Sequence, residues 1–189
     1  MRRLTVFNQI SVDGYFRTPG GDIRWLHEPR DDDEEFKQFT IENTSGDGAL
    51  LFGRTTYDQM ESFWPTPAAA RQFPEVAREM NQRPKFVVSK TLRSPEWQNT
   101  TVLSGDLVSA ITQLKGTSGE PITILGSGTI VAQLTQAALI DEYQVLVIPV
   151  VLAEGVTMFD GVTKMMNLTL TASRTFRNGK AFHVYLPKA

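Results

Sequence analysis

Ile122-Thr123-Ile124-Leu125-Gly126-Ser127-Gly128-Thr129-Ile130 is the stretch on which the fold turns. A short buried-strand pattern runs into two glycines and small hydroxyl residues, and Ser127 to Ala138 then reads as a helix. A strand that feeds a helix through glycine is a building unit of α/β proteins. Glycine lets a ligand approach the backbone, and a helix start offers unpaired N–H donors, so the turn suits a pyrophosphate. It is not the G-x-G-x-x-G dinucleotide fingerprint, because Val131 stands where the third glycine belongs and no acid follows at ribose-binding distance. Nor does it hold the Gly-Lys-Ser/Thr of a P-loop. A tight strand-to-helix turn capped by Ser127 is the alternative, and the stretch by itself leaves both open.

Two other places repeat the logic. Phe52-Gly53-Arg54-Thr55-Thr56-Tyr57 is again a strand that ends in glycine and opens a helix; Arg54 can pair bidentately with a phosphate, and Thr55 and Thr56 add hydroxyls. Val87-Val88-Ser89-Lys90-Thr91 puts a cation between two hydroxyls at a third strand end. Capping and surface charge explain each one separately. Together they point to an extended ligand with several phosphates in the crevice beyond the strand ends.

Around these turns the chain alternates between the two hydrophobic periods. Leu4 to Ile10 reads as a strand, Asp31 to Glu42 as a helix behind an acidic first turn, and Ala49 to Phe52 as a strand. Thr55 to Ser62 is helical, and so is Ala68 to Gln82, interrupted by Pro74. Strands Lys85 to Val88 and Thr100 to Leu103, helix Asp106 to Lys115, and strands Pro121 to Leu125 and Tyr143 to Val151 follow. After them Leu168 to Phe176 and Ala181 to Leu186 alternate with period two around Asn178-Gly179, a pair suited to a type I′ hairpin turn. The expected fold is α/β, with a mainly parallel sheet closed by an antiparallel edge.

Composition narrows the function. The chain has 189 residues and a formal net charge of −2, so it has no summed positive field to hold nucleic acid or an anionic membrane. It contains no cysteine, which excludes disulfides, thiolate nucleophiles and cysteine-ligated metals. The longest apolar run, Val145 to Ala153, is broken by Pro149 and too short for a bilayer. A cytoplasmic protein acting on a small molecule is the expectation, without nucleic acid, membrane or metal.

In this order, Ser11-Val12-Asp13-Gly14-Tyr15, Gly53-Arg54-Thr55-Thr56-Tyr57, Val87-Val88-Ser89-Lys90-Thr91, Gly126-Ser127-Gly128, Leu139-Ile140-Asp141-Glu142 and Pro149-Val150 resemble the dihydrofolate reductase superfamily. The pattern is most similar to the reductase domain of the bacterial bifunctional deaminase-reductase of riboflavin synthesis and to its stand-alone relatives. The resemblance implies a three-layer fold over residues 1–189 as one domain, NADPH as cofactor, and hydride transfer to a small heterocyclic or ribosylated substrate. It gives Gly53, Arg54, Thr55 and Thr56 the cofactor phosphates, with Arg54 on the 2′-phosphate, and Ser89, Lys90 and Thr91 the adenosine ribose and its phosphate. Gly126, Ser127, Gly128, Thr129 and Ile130 fall under the pyrophosphate. The zinc deaminase half needs cysteine ligands, so only the reductase half is expected.

On the substrate side the resemblance implies Asp13 as an orienting, catalytic acid, Trp25 as an aromatic pocket wall and Thr157 as a substrate-side hydroxyl. Asp13 also reads as part of an Asp-Gly turn, and Trp25 as core. Dihydrofolate reductases carry one acid on the helix before the Gly-Arg turn; here Asp31-Asp32-Asp33-Glu34-Glu35 offers several. Many relatives have glycine after Pro-Val-x-Leu, where this chain has Ala153. A non-catalytic nucleotide-binding module and a pterin reductase are the alternatives. Relatives are often homodimers, and the apolar strand from Val145 to Leu152 suits either the core or a subunit contact.

Overall fold

The computed structural model describes residues 1–27, 33–46 and 48–188. The chain starts with β1 (Leu4–Ser11), β2 (Tyr15–Arg17), a 3-10 turn (Arg24–His27) and α1 (Glu34–Thr44). Next come β3 (Ala49–Gly53), α2 (Arg54–Glu61), α3 (Pro67–Gln72), α4 (Pro74–Gln82), β4 (Lys85–Val88) and β5 (Thr100–Leu103). The remainder is α5 (Leu107–Gly116), β6 (Ile122–Leu125), α6 (Gly128–Gln136), β7 (Glu142–Ile148), β8 (Val156–Thr157), β9 (Leu168–Thr175) and β10 (Ala181–Pro187). No helix among the described residues is long and apolar enough to cross a membrane.

Eight strands form the main sheet in the order β5-β4-β3-β6-β1-β7-β10-β9. Pairing is parallel from β5 to β7, and β10 then joins β7 and β9 antiparallel, as the sequence pattern predicts. The strands alternate their side chains between two apolar layers. Leu4, Val6, Leu51, Ile122 and Ile124 face α5 and α6 and pack on Leu107, Ile111, Val131 and Leu134. The opposite face holds Leu50 and Phe52 against Tyr57, Val76 and Met80, and Leu146 and Ile148 against Trp25, Phe39 and Phe176.

Local chemistry sets the helix starts. Asp33, Thr66 and Asp106 each accept a backbone N–H from the first turn of α1, α3 and α5. Pro67 and Pro74 occupy first-turn positions, where their missing N–H costs nothing, so Pro74 splits the helical stretch in two. β7 stops earlier than its apolar run, because the chain bends at Pro149 with the Val150 N–H on the Ile148 carbonyl. That run is spent inside the sheet, flanked by β1 and β10.

The closing turn corrects one expectation. Only Gly179 of the Asn178-Gly179 pair has a positive φ, 81°. The Gly179 N–H donates to the Phe176 carbonyl at 3.0 Å and the Phe176 N–H to that of Lys180 at 2.9 Å. This is a three-residue loop with glycine at the left-handed position, not a type I′ turn. The reason lies outside the hairpin: the Asn178 N–H is held by Asp33 Oδ2 at 3.1 Å, which ties the turn to the start of α1.

Candidate functional site

Parallel pairing brings the C-terminal ends of β4, β3, β6, β1 and β7 to one edge. There the β3–α2 and β6–α6 turns are joined by Ser127. Its hydroxyl accepts the Gly53 N–H at 2.8 Å and donates to the Leu125 carbonyl at 3.0 Å, while its own N–H donates to Thr56 Oγ1 at 3.2 Å. Ser127 is left-handed, with φ 58°, and these bonds hold it there. It therefore sits outside α6 and makes no side-chain cap, contrary to the capping reading.

The glycines fit these close approaches. A Cβ on Gly126 would lie 3.0 Å from Thr56 Cγ2, and one on Gly53 3.3 Å from Ile130 Cδ1. A Cβ on Gly128 would run into the Phe16 ring at 2.5 Å. Gly53, Thr56, Gly126, Ser127, Gly128 and Ile130 thus belong to one packed double turn. Above it α2 and α6 begin without side-chain caps, unlike α1, α3 and α5. Among the described residues nothing accepts from the Gly128 or Thr129 N–H, whereas Ile130 and Val131 both donate to the Ser127 carbonyl. Two adjacent helix starts with unspent donors make a concentrated anion site.

Arg54 lies on the first turn of α2 beside Thr55. Its Nε pairs with both Asp58 oxygens at 2.7 and 2.8 Å, which raises its pKa, and its terminal nitrogens have no partner among the described residues. One strand further out, the Ser89 hydroxyl accepts the Thr91 and Leu92 N–H groups at 3.2 and 3.0 Å, shaping a turn that leaves Lys90 and Thr91 exposed. The Asp106 carboxyl is lowered first by the Ser109 amide and last by the charge of Lys90.

Asp13 is drawn to the β7–β8 loop. Its oxygens accept the Leu152 N–H at 3.1 Å and the Ala153 N–H at 2.8 Å. The bond with Ser11, foremost, and these amides hold the carboxyl below its ordinary range. Ala153, where relatives have glycine, is left-handed with φ 66°. Thr157 pairs with Tyr15 in a two-stranded sheet of β2 and β8, too short to show any sequence period. Gly155 is needed there, because a Cβ would meet the Arg17 carbonyl.

Trp25 lies apart from the double turn, buried with Phe39, Leu146 and Ile148. Its Nε1 is buried without a hydrogen-bond partner. Asp31 and Asp32 lie outside the described residues. The rest of the acidic run is engaged: Asp33 caps α1 and holds Asn178, Glu34 pairs with Lys37 at 2.8 Å, and Glu35 with Arg174 at 2.9 Å. Sequence reading misses Phe16 and Asn8. The first shows only as contact with Gly128, and the second is a polar residue at an inward strand position.

Comparison with known proteins agrees with this architecture. A family model, the RibD C-terminal domain, matches residues 2–182. The chain is similar to the uncharacterized proteins YyaP and YwjB of Bacillus subtilis (strain 168). YyaP is 25% identical over 97% of this chain and 94% of its own length, and YwjB 24% identical over 96% and 97%. Among solved structures, a protein from Shewanella sp. PV-4, named as a candidate riboflavin biosynthesis protein, superposes with TM-score 0.74 at 24% identity over 99% of both chains. A pyrimidine reductase-like protein from Corynebacterium diphtheriae gives TM-score 0.59 at 12% identity over 100% of this chain and 92% of that one. At these identities the two structures establish the fold.

Proposed function

The chain belongs to the RibD C-terminal domain family, and from that premise we propose that it is an NADPH-dependent reductase acting on a small heterocyclic or ribosylated substrate, as in the reduction step of riboflavin synthesis. The observation that carries this reading is the pair of uncapped helix starts, α2 and α6, sewn together by Ser127. Neighbouring strands lie about 4.8 Å apart, so the three gaps from β4 to β1 span roughly 14 Å, the reach of an extended dinucleotide. Phosphates then lie over β3 and β6, adenosine towards β4, and nicotinamide over β1.

Gly53, Thr55, Thr56 and the turn from Gly126 to Ile130 would hold the pyrophosphate. The terminal nitrogens of Arg54, with Lys90, Ser89 and Thr91, would take the 2′-phosphate end, which selects NADPH over NADH. Bound there, the dihydronicotinamide supplies a hydride. The protein orients the ring, excludes water and holds the acceptor beside it. Asp13 serves this by fixing the β7–β8 loop, from which Thr157 borders the substrate space, with Trp25 on the opposite face of the sheet. Among the described acids of that run, Asp33, Glu34 and Glu35 are engaged elsewhere, so none of these three would orient a pterin.

Fluorescence titration with NADPH and NADH tests the cofactor assignment, and deuteride transfer from labelled NADPH to oxo-heterocycles tests the chemistry. The expected result is tighter binding of NADPH, with the preference over NADH cut about tenfold in Arg54→Ala. Failure to bind NADPH overturns the reading, and binding without transfer to any acceptor makes the protein a nucleotide-binding module instead.

A further inference from the structure

Asn8 is 3% exposed, and its Nδ2 is buried without a hydrogen-bond partner. A buried carboxamide with an unmet donor is destabilising, so its presence on the strand face that otherwise carries Leu4, Val6 and Ile10 needs a cause. Its position supplies one. Alternation along β1 puts Asn8 on the face of Val6 and Ile10, both in the layer beneath α5 and α6. The last β1–β6 pair is Phe7 with Leu125, so Asn8 comes level with Gly126, where the neighbouring chain has no side chain and turns away. On its other side it pairs with Val145, which offers no acceptor side chain. Asn8 is thus the first β1 position beyond the end of β6, level with the turn that leads into the uncapped start of α6.

We propose that Asn8 positions the cofactor, its Nδ2 donating to the carbonyl oxygen of the nicotinamide carboxamide and so fixing which face of the ring looks towards the substrate. This rests on the cofactor reading above and adds a residue to it. The order of strands supports the choice of nicotinamide over phosphate: the anion donors lie over β3 and β6, and β1 is one strand further along the crevice. A neutral donor suits a neutral carbonyl there. Phe16, whose ring rests against Gly128, closes the same space from the β2 side and excludes competing water.

The test compares two ligands on the full chain, NADP⁺ and 2′-phospho-ADP-ribose, which lacks nicotinamide. In Asn8→Leu, NADP⁺ binding is expected to weaken about tenfold with 2′-phospho-ADP-ribose unchanged, while the unliganded protein keeps or gains thermal stability, because an unsatisfied polar group has been removed. Equal weakening of both ligands, or of neither, overturns the assignment. A ligand-side version leaves the protein intact: the analogue with a 3-amino group in place of the carboxamide lacks the acceptor and should bind the parent about tenfold more weakly than NADP⁺. Equal binding of analogue and NADP⁺ overturns the assignment as well. Parent protein that binds neither NADP⁺ nor 2′-phospho-ADP-ribose sinks the cofactor reading itself, a result distinct from a null effect at Asn8.

Discussion

The two edges of the parallel sheet use the same kinds of group in opposite ways. At the N-terminal edge the buried cations Arg83, Lys85 and Lys115 are all occupied by the protein. Arg83 donates to the Gly48 and Thr44 carbonyls at 2.6 and 3.1 Å, and Lys85 to those of Arg83 and Asn81 at 2.7 and 3.1 Å, its ammonium 4.5 Å from the Trp97 ring centre. Lys115 pairs with Asp141 at 2.6 Å. At the C-terminal edge the amides of Gly128 and Thr129, the Asn8 carboxamide and the Trp25 indole are left without acceptors among the described residues. A donor satisfied internally stabilises the fold, and one left open stabilises a complex.

The sharpest way to break this contrast is to truncate one group at each edge. Arg83→Ala strands two carbonyls and should cost about 3 kcal/mol in urea unfolding, with the Kd for NADPH unchanged once the folded fraction is accounted for. Gly128→Ala should do the reverse. Its Cβ displaces Phe16 and narrows the space at the helix start, weakening NADPH about tenfold with a smaller change in Tm, and Phe16→Ala should recover part of the loss. A changed Kd in the first variant, or an unchanged one in the second, would erase the division of labour.

A gentler probe uses pH. Burial first, and then the charge of Arg83, lower Lys85 to about 8. Between that value and the ordinary lysine pKa of about 10.4 the unfolded chain holds a proton that the folded one has released, so Lys85 adds stability as pH rises. Measured against Lys85→Met, the parent should gain in Tm from pH 8 to pH 10; a constant difference would show that burial does not lower the Lys85 pKa. The smallest effect belongs to the substrate edge. Ala153→Gly relieves a left-handed alanine and should stabilise by about 0.5–1 kcal/mol in thermal melts, leaving the Asp13 bond to its amide in place.

Much of this was legible in the residues. The strands Lys85–Val88 and Thr100–Leu103 end where their periodicity ends, and the glycine turns after β3 and β6 stand at strand ends as their pattern implies. The losses have physical causes. Helix α6 starts one residue late because Ser127 is held left-handed by Thr56, a contact between residues 71 apart in the chain. The hairpin departs from its local preference because Asp33 reaches Asn178. β2 and β8 are too short to carry a period. Asn8 did leave a trace, since Leu4, Val6 and Ile10 mark even positions as inward, but parity shows that a side chain is buried and not that it lacks a partner.

β1 has a temporal consequence as well. It leaves the ribosome before every other strand of its sheet, yet both its neighbours, β6 and β7, come from the second half of these 189 residues. At ordinary synthesis rates Leu4 waits on the order of ten seconds for Ile122. Through that interval the apolar face of the future central strand has no native partner in its sheet. Chains of this topology are therefore most prone to aggregation while nascent, and chaperone demand should fall once Ile148 has been made.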